Sequence, residues 1–84
     1  MPWKLSPTKR FSKDLNAVPS ADARRIIASI DRLVLDPAGA DIRKLEGGAG
    51  WRMRVGNWRV FFELDTETGI ILLTGVKRRT STTY

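Results

Sequence analysis

The sequence predicts an α+β fold in which a two-helix hairpin packs on one face of a small antiparallel β-sheet, with elements in the order β-α-α-β-β-β. Three observations carry this expectation. Apolar residues between positions 21 and 35 recur at helical spacing, residues from Gly50 onward alternate apolar and polar with period two, and 84 residues provide for one layer of helix on sheet. Hydrophobic content of 42%, with three Trp and three Phe, sets the chain apart from disordered sequences, so one domain over residues 1–84 is expected.

Trp3 and Leu5 begin a short first strand. Ser6-Pro7 then offers an N-capping hydroxyl followed by the residue whose missing N–H and fixed φ suit the first helical position, which predicts a helix from Pro7 to about Asn16. Phe11 and Leu15 form its narrow apolar stripe, with Lys9, Arg10, Lys13 and Asp14 mostly outside it. Pro19-Ser20 interrupts the chain. A second helix is predicted from about Ala21 to Leu35, with Ile26, Ile27, Ile30, Leu33 and Val34 turned inward, and Asp36-Pro37-Ala38-Gly39 ends it. Helices joined by so short a connection pack antiparallel.

Beyond Gly50, Trp51, Met53 and Val55 alternate with Arg52, Arg54 and Gly56. After Gly56-Asn57, Trp58, Val60, Phe62 and Leu64 alternate with Arg59, Phe61 and Glu63. A two-residue Gly-Asn turn between two such runs is the signature of a β-hairpin, and it sets the register. Val55 should face Trp58, Arg54 should face Arg59, Met53 should face Val60, Arg52 should face Phe61 and Trp51 should face Phe62. Asp65 to Gly69 supplies a further turn, and Ile70 to Val76 a last strand rich in β-branched residues. Gly47-Gly48 reads as a flexible approach to a strand, because a phosphate cradle needs a glycine loop that runs into a helix.

The hairpin separates two faces. Trp51, Met53, Val55, Trp58, Val60 and Phe62 form a wholly apolar face that must meet the helices, whereas Arg52, Arg54, Arg59 and Phe61 share the other. Arg54 opposite Arg59 is a like-charge pair that destabilises a sheet by roughly 0.2–1 kcal/mol, and no carboxylate lies between Trp51 and Phe62 to offset it. Planar guanidinium forks match phosphate better than a lysine point charge does, so the face is read as a phosphate-binding surface rather than a merely solvated one. Phe61 either stacks on a base or covers the sheet. The segment Val76–Tyr84 extends the last strand with Lys77, Arg78 and Arg79, which either join this face or form a frayed basic terminus.

A formal net charge of +6 calls for a polyanionic partner, either nucleic acid or an acidic protein segment. With no Cys and no His, thiolate nucleophiles, disulfides, Cys-based zinc sites and imidazole acid–base chemistry are excluded, and the commonest metal ligand is absent. Any catalysis must run on Arg, Lys, Tyr, Ser/Thr or carboxylates, with no metal or cofactor expected. The first residues lack the apolar core of a signal peptide, and no window approaches the roughly 18 apolar residues of a membrane span, which leads us to expect a cytoplasmic protein without membrane contact.

Three segments taken in order carry a family likeness. Lys44-Leu45-Glu46-Gly47, then Trp51-Arg52-Met53-Arg54-Val55-Gly56-Asn57-Trp58-Arg59-Val60-Phe61-Phe62, then Gly75-Val76-Lys77-Arg78-Arg79, resemble the hallmark of the RelE/ParE toxin superfamily. Members show a Lys-Leu-x-Gly segment, an aromatic-basic-x-basic strand, a Tyr-Arg-Val strand and a Val-x-basic-Arg strand end. The resemblance implies the toxin of a type II toxin–antitoxin system, a ribosome-dependent, metal-free mRNA endoribonuclease that inhibits translation.

It further implies catalytic roles for Arg59, Arg78 and Tyr84, with Arg52, Arg54, Lys77, Arg79, Phe61 and Lys44 binding RNA or its phosphates, and Arg78 arriving at the arginine face from the last strand. Lysines are frequent in the family where Arg52 and Arg54 stand. Arginine, with a pKa above about 12, is a poor proton donor or acceptor, so both residues look electrostatic. Tyr84 is the last residue of the sequence, so an α-carboxylate would be expected beside its phenol. The implied partners are a cognate acidic antitoxin, the ribosome and mRNA, and operator DNA only through the antitoxin complex. Two other readings share these residues: a ParE-like inhibitor of DNA gyrase without nuclease activity, and a nucleic-acid-binding module that cleaves nothing.

Overall fold

The computed structural model describes residues 3–45 and 50–79. Strand β1 (Lys4–Pro7) leads into helices α1 (Lys9–Asn16) and α2 (Ser20–Leu35). A 3₁₀ turn at Pro37–Gly39 follows, then strands β2 (Ile42–Lys44), β3 (Gly50–Val55), β4 (Trp58–Asp65) and β5 (Ile70–Arg78). The two helices and the strand-rich second half agree with expectation, and the sheet gains one strand. Ile42–Lys44 pairs antiparallel with β3 and is too short to declare a period of its own. The five strands lie in the order β1-β5-β4-β3-β2. All pairs are antiparallel except β1 with β5, which run parallel from Lys4↔Ile70 to Pro7↔Leu73.

The start of α1 departs from the Ser6-Pro7 expectation. Pro7 is the last residue of β1, and Thr8 is the cap: its hydroxyl accepts the Phe11 N–H at 3.2 Å. Thr8 satisfies the same capping chemistry two residues later, while the missing N–H of Pro7 costs little at a strand end. Helix α2 begins at Ser20 after Pro19 and ends where the Asp36 carboxylate accepts the Gly39 N–H at 3.2 Å.

Phe11, Val18, Ile26, Ile30 and Leu33 from the helical layer meet Met53, Val55, Val60, Phe62, Ile71, Leu73 and Val76 from the sheet in one buried core. Ile26, Ile30 and Leu33 trace a single stripe of α2. Ile27, placed inward by the sequence reading, is instead 47% exposed, because it sits about 100° around the helix from Ile26. Trp51 and Trp58 are half-buried and pack against the core as expected. No charged or polar side chain is buried among the described residues, so the cationic side chains lie at the surface.

Helix α1 also closes part of a sheet edge. β1 stops at Pro7 while β5 continues to Arg78, which leaves the N–H groups of the later β5 residues without a strand neighbour on that side. Asp14 of α1 fills the gap: its Oδ2 accepts the Val76 N–H at 3.0 Å. A half-buried backbone donor is thereby satisfied by an ionised acceptor.

Candidate nucleic-acid interface

The hairpin register is the one predicted: Val55↔Trp58, Arg54↔Arg59, Met53↔Val60, Arg52↔Phe61 and Trp51↔Phe62. Residue alternation therefore turns Arg52, Arg54, Arg59 and Phe61 away from the helices. The flanking strands complete two rows across the sheet. One runs Arg43-Arg52-Phe61-Gly75 from β2 to β5, and the next runs Arg54-Arg59-Lys77 from β3 to β5. Asp41 lies at the outer end of the second row, where its carbonyl accepts the Arg54 N–H at 3.2 Å. Asp41, Arg43, Arg52, Arg54 and Arg59 line a single recess.

Five cations thus stand on adjacent pleats, about 5 Å apart between strands and about 7 Å apart along them. Their mutual repulsion is unfavourable for folding. A polyanion lying across the rows would relieve it.

Two of these side chains were not among the residues first assigned to the site or were assigned without position. Arg43 was missed, and Lys77 turns out to supply the cation that β5 brings to the face. Lys44 pairs with Trp51 and so shares the helix-side face of the edge strand, while its neighbour Arg43 pairs with Arg52. In a strand a shift of one residue exchanges the faces.

Arg78 is placed away from the rows for the same reason. Val76 points into the core, Lys77 outward and Arg78 back to the helix side, opposite Trp58. Its guanidinium stands 6.0 Å from the centroid of the Trp58 ring, and that ring is held by α2 through Nε1, which donates to Asp22 Oδ2 at 3.0 Å. The expectation that Arg78 joins Arg52, Arg54 and Arg59 on one face is therefore corrected in geometry. Arg79 follows the strand, its N–H donating to the Asn57 carbonyl, which extends the β4–β5 ladder past the turn. Tyr84 lies outside the described residues, as do Glu46, Gly47 and Gly48.

A register shift lies beside Phe61. Phe61 pairs with Gly75 but Phe62 pairs with Leu73, so Thr74 is an extra residue in β5. Leu73 and Val76, three apart, are both buried, and Thr74 and Gly75 between them belong to the outer side. Alternation along β5 changes parity at this bulge.

Residues 5–81 match the family model of the ParE toxin of the type II toxin–antitoxin system parDE. No curated protein matches the sequence. Among solved structures, the chain is similar to the archaeal RelE–RelB complex from Pyrococcus horikoshii, with 27% identity over 98% of this chain and 100% of that one and a TM-score of 0.82. It is also similar to the RelB–RelE antitoxin–toxin complex from Methanococcus jannaschii, at 30% identity over 87% of this chain and 88% of that one, with a TM-score of 0.72. The toxin–antitoxin complex RelBE2 from Mycobacterium tuberculosis shares the fold at 18% identity, covering 94% of this chain and 100% of that one with a TM-score of 0.80.

Proposed function

Since this chain belongs to the RelE/ParE superfamily of type II toxin–antitoxin toxins, we propose that it is a ribosome-dependent mRNA endoribonuclease that halts translation and is held in check by a cognate acidic antitoxin. The observation that carries this reading is the pair of rows that sets Arg43, Arg52, Arg54, Arg59 and Lys77 on one open face. Cations so placed bind successive phosphates of a single strand.

The chemistry is attack of a ribose 2′-OH on the adjacent phosphate. The 2′-oxygen forms a bond to phosphorus, the bond from phosphorus to the 5′-oxygen breaks, and the proton lost by the 2′-OH is matched by one gained at the leaving oxygen. The products are a 2′,3′-cyclic phosphate and a 5′-OH. Negative charge builds up on the phosphoryl oxygens at the transition state, and guanidiniums fixed in advance stabilise it more than the ground state. Arg59 lies at the centre of its row, between Arg54 and Lys77, and is our principal catalytic arginine. Arg52, Arg54 and Lys77 hold flanking phosphates, with Arg79 beyond the strand end. Arg78, braced on Trp58, acts from the sheet's rim. The family resemblance gives the proton-transfer role to Tyr84.

The RelE proteins of Pyrococcus horikoshii and Methanococcus jannaschii were solved as complexes with RelB. By analogy, an acidic antitoxin segment covers the cationic face of this chain and is replaced there by ribosome-bound mRNA. One observation favours a second reading: the matching family model is that of the parDE toxin. On that reading the protein inhibits DNA gyrase and cleaves nothing.

A paired assay tests the choice. Primer extension on mRNA in programmed ribosomes should reveal cuts, while gyrase supercoiling proceeds unaffected. Intact mRNA together with blocked supercoiling would reverse the assignment.

A further inference from the structure

Beside the arginine rows lies a second concavity of about 350 Å³, whose lining includes Arg10, Asp14, Phe61, Glu63, Gly75 and Lys77. Three features distinguish it from its neighbour. Phe61 forms part of its floor, a half-exposed phenyl ring on the face of the sheet turned away from the core. The residue opposite Phe61 on β5 is Gly75, which brings no side chain of its own over the ring. The bulge at Thr74 is what brings Gly75 to that place, and bulges commonly re-aim side chains beside binding sites.

The charge differs as well. In the recess between β2, β3 and β4, four arginines face a single carboxylate, Asp41. Around Phe61, Arg10 and Lys77 are balanced by Asp14 and Glu63. The side chains of α1 lean over this spot: a Cβ added at Gly75 would lie 3.2 Å from Asp14 Oδ2 and 4.0 Å from Arg10 Nε. A phosphate gains little in a balanced ring of charges. A flat, uncharged group with donors and acceptors on its rim suits it, provided that one face can stack on an aromatic ring.

We propose that this concavity is a nucleobase subsite, in which one unstacked base of the bound RNA lies on Phe61, with Arg10 and Asp14 of α1, which stand over Gly75, closing its outer wall. The proposal rests on the reading of the arginine face as an RNA-phosphate surface. It adds the residue that senses a base, whereas the arginine rows sense only the backbone. Arg52, opposite Phe61, joins the two regions, so the base in the subsite belongs to a nucleotide whose phosphate lies on the rows.

The test uses the whole chain and a labelled 2′-O-methyl hexanucleotide, which cannot be cleaved, in fluorescence anisotropy titrations at low salt. A set of the same oligonucleotide with a single abasic residue at each position in turn serves as the comparison. For the wild type, one abasic position should weaken binding by roughly 5- to 150-fold, the range for loss of one base–aromatic stack. Phe61→Leu should bind the intact strand as weakly as the wild type binds that abasic strand and be indifferent to the abasic position, whereas Phe61→Trp should restore the difference. Equal affinity of the wild type for the intact strand and every abasic strand overturns the subsite and leaves the phosphate surface standing. Absence of binding to any of these strands overturns the phosphate surface and the subsite with it.

Discussion

Arg54 stands directly opposite Arg59 across the β3–β4 ladder, with Lys77 next to Arg59 on the far side. Three cations in one row of a sheet are unfavourable for folding, and their concentration on one open face points to a ligand. Replacing Arg54 by Thr, a good strand former, should therefore stabilise the fold by several tenths of a kcal/mol, up to about 1 kcal/mol. RNA affinity should fall in the same variant. Urea denaturation and oligonucleotide titration measure the two effects, and a stability gain without loss of affinity would separate the row from binding.

The bond from Val76 N–H to Asp14 Oδ2 ties α1 to the continuing edge of β5. Asp14→Ala removes an ionised acceptor and leaves the backbone donor half-buried, which should cost about 1.5–3 kcal/mol in denaturation. Asp14→Asn keeps an oxygen in place and should recover part of that loss. If both variants match the wild type, water replaces the carboxylate and α1 is held by the packing of Phe11 and Leu15.

Acid should weaken the turn between β4 and β5. The Asp65 carboxyl is held below its ordinary value, first by the Thr68 side chain and then by the backbone N–H groups of Thr68 and Glu67. A carboxyl whose pKa is lowered by folding contributes stability that is present above its unfolded pKa of about 3.9 and is lost as pH falls through the folded value. Asp65→Asn should accordingly melt below the wild type at neutral pH, and the two melting curves should converge as the pH falls through the lowered folded value. A difference in melting temperature independent of pH would mean that the hydrogen bonds, not the charge, are what matter.

The parts of this fold that announce themselves in the sequence are those with a repeating pattern and a fixed turn. The alternating runs on either side of Gly56-Asn57 give the hairpin register outright, and Gly56, with φ of +56°, occupies a conformation that other residues adopt only at a cost. Ile26, Ile30 and Leu33 likewise declare the buried stripe of α2. What escaped had no period to show.

β2 is three residues long, so nothing fixed which of Arg43 and Lys44 would face outward until Met53 and Trp51 had chosen their sides. The extra residue at Thr74 changed the parity of β5 and with it the places of Lys77 and Arg78. A glycine inside a strand is a signal for such a bulge, and Gly75 carried it. Arg10 escaped because its approach to Gly75 depends on how α1 lies along the sheet edge, a long-range contact that helical periodicity does not encode.

The account turns on Arg59, and the rate at which ribosome-bound mRNA is cut tests it most directly. We predict that the wild type cleaves mRNA in the ribosomal decoding site to a 2′,3′-cyclic phosphate. Arg59→Ala should lower the single-turnover rate by about 10²–10³-fold, the usual loss on removing one preorganised donor to a developing anion. Arg78→Ala, which removes a cation braced on Trp58 outside the rows, should slow it less. Cleavage by Arg59→Ala at the wild-type rate, or mRNA left whole by the wild type, would contradict the central claim.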